Sequence, residues 1–156
     1  MNKKLIIAAI LVIIASYAGL HKQGPHTAPA NSQQTQTGAV RAESRDISVL
    51  TQQRRVADYL QQHQQLPDYY IHKGEARRQG WDPAKGNLCS VLPGRAIGGD
   101  RFSNREGGLP DKSGRRWFEA DVNYQCGRRG TDRMLYSNDG LIFVTKDHYR
   151  HFEQVK

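Results

Sequence analysis

The sequence predicts an α+β fold, with N-terminal helices packed on a C-terminal antiparallel β-sheet. Three observations carry this expectation. Ile47, Val49, Leu50, Val56, Ala57, Tyr59 and Leu60 recur at helical spacing among Gln and Arg. From Arg116 the period switches to two, with Phe118, Ala120, Val122 and Tyr124 on one side and Trp117, Glu119, Asp121 and Asn123 on the other. Two further strand-like runs, Thr131 to Ser137 and Leu141 to Thr145, flank S-N-D-G, a tight-hairpin signal. Helices followed by strands joined through short turns form the α+β pattern.

Residues 1–18 read as a secretory signal peptide. Lys3 and Lys4 precede an apolar run from Leu5 to Ala15, and Ser16 and Ala18 have the small-residue spacing of a cleavage site. A retained anchor is the competing reading, although the run is short for roughly 30 Å of hydrocarbon. Residues 19–45 are rich in Gln, Thr, Ala and Pro and carry almost no bulky apolar side chains. Such a segment cannot offset its ordering entropy, which makes it a flexible leader or pro-segment.

The expected folded unit is residues 46–156, a length suited to one domain. It opens with an amphipathic helix over Asp46 to Gln65, closed by L-P-D. H-K-G-E-A-R-R-Q-G (72–80) predicts a short helix ending at Gly80, and N-L-C-S-V-L-P-G (87–94) a helical turn before Pro93. G-G-D-R-F-S-N-R-E-G-G-L-P (98–110) reads as a constrained loop that offers backbone N–H groups, an amide and a carboxylate. The strand from Arg116 to Tyr124 is expected to be half-buried, with its carboxylates on a wet face.

Lys and Arg number 23 against 15 acidic residues, a formal charge of +8. That balance suits a polyanionic partner: nucleic acid, an anionic membrane surface or an acidic protein. Cys89 and Cys126 in an exported chain predict a disulfide rather than a metal site, with two buried free thiols as the alternative. Closing that loop would contribute about 4 kcal/mol on the chain-entropy account.

Charged groups gather on one sheet face. Glu119 lies on the polar side of its strand, Arg129, Thr131, Arg133 and Leu135 share one parity on the next, and Asp147 and His148 follow a hairpin later. A carboxylate, arginines and a histidine on neighbouring strands suit metal-free phosphoryl transfer, which needs a base, an acid and cations around the charged phosphorus centre. A solvated face of surface ion pairs is the plain alternative. His148 and His151, three apart on a strand, point to opposite faces and would not chelate one ion, and no H-E-x-x-H or C-x-x-C accompanies them. One is expected to be an acid and the other a surface residue, and parity does not choose between them. The 98–110 loop could read the edge of a purine base.

In order along the chain come V-A-D-Y-L (56–60), L-P-D-Y-Y-I (66–71), K-G-N-L (85–88), I-G-G-D (97–100), F-S-N-R-E-G (102–107), E-A-D-V-N-Y (119–124), D-R-M-L-Y-S (132–137) and T-K-D-H-Y (145–149). With these motifs the domain resembles the microbial guanyl-preferring ribonucleases of the barnase and binase group. The resemblance implies that Glu119 is the general base toward the ribose 2′-OH and His148 the general acid toward the leaving 5′-oxygen. A 2′,3′-cyclic phosphate forms and is then hydrolysed with the roles exchanged. It further implies that Lys73, Arg129 and Arg133 surround the scissile phosphate, and that Ser103, Asn104, Arg105 and Glu106 form the guanine loop. Phe102 would support that loop and Tyr149 would line the base site. No metal or cofactor is implied. The expected partners are single-stranded RNA, not DNA, and a small acidic inhibitor of the barstar type, drawn to the basic site. The protein is expected to act as a secreted monomer, extracellular or periplasmic, meeting a membrane only through its signal segment. Arg128, standing where the relatives carry an aromatic, departs from the pattern, as do Gly130, Gly140 and both cysteines. A basic RNA-binding module without chemistry is the rival function.

Overall fold

The computed structural model describes residues 46–156. The expected signal segment 1–18 and leader 19–45 lie outside the described residues. The chain forms α1 (Ile47–Leu50), α2 (Gln53–His63), β1 (Tyr70–Ile71), α3 (Lys73–Arg78), a 3-10 turn (Pro83–Lys85), α4 (Leu88–Val91), β2 (Ala96–Phe102), β3 (Trp117–Asp121), β4 (Arg133–Ser137), β5 (Ile142–Thr145) and β6 (Glu153–Gln154). The strands build a six-stranded sheet in the order β1 to β6. The α+β class is as predicted, but the sheet is mixed: β1 runs parallel to β2, and every other pairing is antiparallel.

The single helix expected over Asp46 to Gln65 is two helices, and contacts from far along the chain divide it. Asp46 caps α1 by accepting from Ser48 N at 2.9 Å. Thr51, fully buried, donates its hydroxyl to Ile47 O and accepts from Tyr124 N at 3.0 Å. Asn123 N donates to Thr51 O at 2.7 Å, and Asn123 Oδ1 accepts from Gln53 N at 3.1 Å, capping α2 from outside. Backbone groups that would have continued the helix bond instead to the loop after β3. The α2 helix then buries Val56, Ala57 and Leu60 and ends at Gln64 in the left-handed region (φ 55°).

The main core lies between the helices and one sheet face, centred on Val56, Leu88, Ile97 and Met134. A smaller core of Leu109, Trp117 and Leu135 occupies the opposite face, with Phe102, Phe143, Tyr149 and Phe152 packed on it. The face of β3 expected to be wet is therefore covered: Trp117, Glu119 and Asp121 are only 2%, 6% and 3% exposed. Segments 103–116 and 146–152 fold across it and bring Leu109, Tyr149 and Phe152 with them.

The first part of the expected 98–110 loop is strand. β2 runs to Phe102, with its register against β3 shifted between Gly98 and Asp100. Gly98 is required by close approach, since a Cβ there would stand 2.6 Å from the Tyr70 ring and 2.9 Å from Ala120 Cβ. Gly99, at φ +99°, shapes the bulge. The disulfide joins Cys89 and Cys126 with Cα atoms 5.7 Å apart, tying α4 to the loop after β3.

Candidate active site

Glu119 occupies the middle of β3, opposite Asp100 on β2 and Leu135 on β4. Both its oxygens are engaged. Lys73, the first residue of α3, donates Nζ to Oε1 at 2.5 Å, and the Tyr149 hydroxyl donates to Oε2. The α3 backbone is itself positioned by Asp100, whose Oδ2 accepts from Lys73 N at 3.0 Å. Burial, and then the hydrogen bond to Glu119, push the Tyr149 hydroxyl well above its ordinary pKa, so it stays a proton donor to the carboxylate.

Two residues on, Asp121 takes the same face. Arg129 forks onto it, Nε to Oδ2 at 2.8 Å and Nη2 to Oδ1 at 2.6 Å. Burial opposes the Arg129 charge, but Asp121 outweighs it and the guanidinium pKa rises. Arg133 Nε lies 3.1 Å from Asp121 Oδ1 yet is misaligned for a hydrogen bond, so that contact is coulombic. Its Nη1 donates to Gly130 O at 2.8 Å and Asp132 O at 2.9 Å. Asp121 is thus the buried anion that organises two arginines. No motif singles Asp121 out, although its parity with Glu119 in E-A-D is visible in the sequence, and the buried Arg133 beside the half-buried Arg129 requires such a partner.

Arg129 and Thr131 precede β4 rather than belonging to it, so Arg129 reaches Asp121 from a loop and not through strand parity. His148 and His151 sit on neither strand nor helix. They follow β5 in an irregular turn where His148 (φ 54°) and Tyr149 (φ 71°) adopt the left-handed backbone. Asp147 Oδ1 organises that turn by accepting from the Thr145 hydroxyl and from the Arg150 and His151 N–H groups. His151 Nδ1 meets Asp147 Oδ2 at 2.5 Å on the exposed side, and that bond holds the Asp147 carboxyl well below the usual range. His148 packs its ring edge-on to Tyr149, centroids 4.8 Å apart.

Beside His148 opens a cavity of about 800 Å³ whose wall includes Phe102, Ser103, Asn104, Arg105, Glu106 and Tyr149. Phe102 stacks on Tyr149 with centroids 5.0 Å apart and planes at 15°. Arg105 and Glu106 are exposed at the loop tip. The Asn104 amide, expected to be on offer, is engaged internally. Its Nδ2 donates to Leu109 O and its Oδ1 accepts from Leu109 N, both at 3.0 Å, which staples the loop into shape. Tyr149 connects the parts: its hydroxyl meets Glu119, its ring stacks on Phe102, and the same ring meets His148 at a steep angle.

A sequence-family model described as ribonuclease matches residues 53–156, the span from α2 to the C-terminus. The chain belongs to the microbial ribonuclease family. A ribonuclease from Bacillus intermedius is 44% identical over 151 residues, covering 97% of this chain and 93% of the relative. Ribonucleases from Heyndrickxia coagulans and Bacillus pumilus are each 55% identical over 101 residues, or 65% of this chain, and cover 93% and 62% of those relatives. The matched span of this ribonuclease includes the segments that build the cleft, and RNA is the substrate class of the family.

Proposed function

We propose that the protein cleaves single-stranded RNA after guanosine by metal-independent general acid–base transesterification. The carrying observation is the buried Glu119 carboxylate, held between Lys73 and Tyr149 beside two arginines organised by Asp121, with His148 on the adjoining turn. Glu119 accepts the ribose 2′-OH proton as the 2′-oxygen attacks phosphorus, and His148 protonates the departing 5′-oxygen. The products are a 2′,3′-cyclic phosphate and a free 5′-hydroxyl. Water then opens the ring to a 3′-phosphate, with His148 taking its proton and Glu119 returning one. Lys73, Arg129 and Arg133 stabilise the extra negative charge on the phosphoryl oxygens. Because the nucleophile is the 2′-oxygen, DNA is not cut.

For the base, backbone N–H groups of residues 103–106 meet guanine O6 while the exposed Glu106 carboxylate accepts from N1–H and N2–H₂. Phe102 and Tyr149 supply apolar ring faces beside them. Removal of residues 1–18 releases the enzyme as a secreted monomer, and a small acidic inhibitor protects the producer by covering the basic cleft. The experiment is cleavage of one defined RNA in the presence of EDTA, followed by sequencing of the ends. Cyclic phosphates following guanosine are expected. Ends at all four bases would remove the base assignment, and absence of product would remove the catalytic one.

A further inference from the structure

The sheet face that carries the helices is not covered throughout. Past the C-terminal end of α2, an open groove of about 480 Å³ lies against β2, β3 and β4. Its floor is aromatic. Phe118 and Tyr136, cross-strand partners, stack with centroids 5.5 Å apart and planes at 26°, and both are only half-buried. Gly99 keeps one wall open, since a Cβ there would stand 2.8 Å from the His72 ring. At the rim the exposed Arg101 guanidinium lies 5.9 Å from the Phe118 ring centroid. Asp100, the acid beside this rim, is already engaged by Lys73 N at 3.0 Å and faces His72 Nδ1 at 3.5 Å.

We propose that this groove is a second RNA subsite, taking a base of the strand outside the scissile nucleotide. The inference rests on reading the protein as an RNA-cutting enzyme. The base stacks on Phe118 and Tyr136, and a neighbouring phosphate meets Arg101. Single-stranded RNA presents its bases to aromatic faces whatever their identity, and a basic rim tracks the backbone. The net charge of +8 favours the same occupant. Continuity with the cleft supports it further. Lys73 touches Glu119, while its chain neighbour His72, about 3.8 Å away along the backbone, lines the groove. β1 pairs with β2 only as far as Ile97, so no strand of the described residues covers the β2 edge that lies between the two sites.

The test uses RNA carrying 2′-deoxyguanosine at the scissile position, so that it binds without being cut, as a dinucleotide and as a longer oligonucleotide. Phe118→Leu keeps apolar volume but removes the ring, and Arg101→Ala removes the rim charge. Both variants are expected to bind the dinucleotide as wild type does. On the longer strand Phe118→Leu loses about tenfold in affinity, and Arg101→Ala lowers the slope of log affinity against log salt by about one. Unchanged affinity of both variants for the longer strand overturns the proposal, as does an equal loss on both lengths. Should Phe118→Leu fail to melt as a folded protein, Arg101→Ala decides alone. A wild type that binds the longer strand more tightly but cuts no RNA defeats the catalytic reading and keeps the groove. One that cuts RNA yet gains no affinity with length defeats the groove alone.

Discussion

From Glu119 to Asp121 both faces of β3 are buried, yet they do opposite things. Ala120 faces helix-side residues and shares their apolar core, a face stabilised by removing carbon from water. Glu119 and Asp121, on the other face, are buried charges, each tied to a partner reached from a loop or a helix start. Burying an ionised carboxylate is unfavourable unless cations and donors surround it. The first face holds the fold together, whereas the second preserves a fixed arrangement of opposite charges that stability alone would not select. Substitutions on the two faces should therefore separate activity from stability.

The largest separation is expected at Glu119→Gln, which keeps the shape and one acceptor for Lys73, while its new N–H₂ can donate to the Tyr149 oxygen. RNA cleavage should fall about a thousandfold while the melting temperature stays near that of the wild type, and near-normal turnover would remove Glu119 as the base. Asp121→Ala should lose both properties, because it leaves the buried Arg133 and the half-buried Arg129 without their anion. Denaturant titration should show a destabilisation of about 3–5 kcal/mol, and a change under 1 kcal/mol would mean that the arginines find other partners. Met134→Ala, fully buried on the helix side, should cost about 3 kcal/mol with kcat/KM unchanged on the protein that remains folded. A matching fall in kcat/KM would show the two faces to be coupled. Replacing both Cys89 and Cys126 by Ala should lower stability by about 2–4 kcal/mol and leave chemistry intact, as read from chemical denaturation beside a cleavage assay.

The smallest effect concerns the hairpin that braces the covering loop. Arg115 bonds Asp139 and lowers its carboxyl pKa to about 2. A depressed folded-state pKa contributes stability above the unfolded value of about 4, and that contribution is lost as pH falls toward the folded value. Arg115→Ala should flatten the loss of stability between those limits. An acid unfolding profile that superimposes on the wild type would discount the pair.

Much of this was legible along the chain. Helical spacing marks α2, the S-N-D-G hairpin marks the turn between β4 and β5, and the two cysteines announce their bond. Motif order pointed to Glu119, Arg133, His148 and the 102–106 loop. Parity along β3 places Glu119 beside Asp121 on one face, but that face is covered rather than wet. Whether a strand's polar side meets water depends on what later folds across it, and Leu109, Tyr149 and Phe152 belong to segments without any period of their own. The same limit hid Asp121, whose importance appears only once Arg129 and Arg133 converge on it.

Local chemistry, then, determined the kinds of element, their order and the residue types available for acid–base work, because period, turn residues and side-chain ionisation are properties of neighbours in the chain. Tertiary structure alone decided where the first helix breaks, at a Thr51 hydroxyl bonded to a backbone group 73 residues away. It also decided that Lys73 meets a carboxylate 46 residues further on. Such bonds form only when distant backbone and charged groups are brought out of water together, and no pattern within a single segment encodes which groups those are.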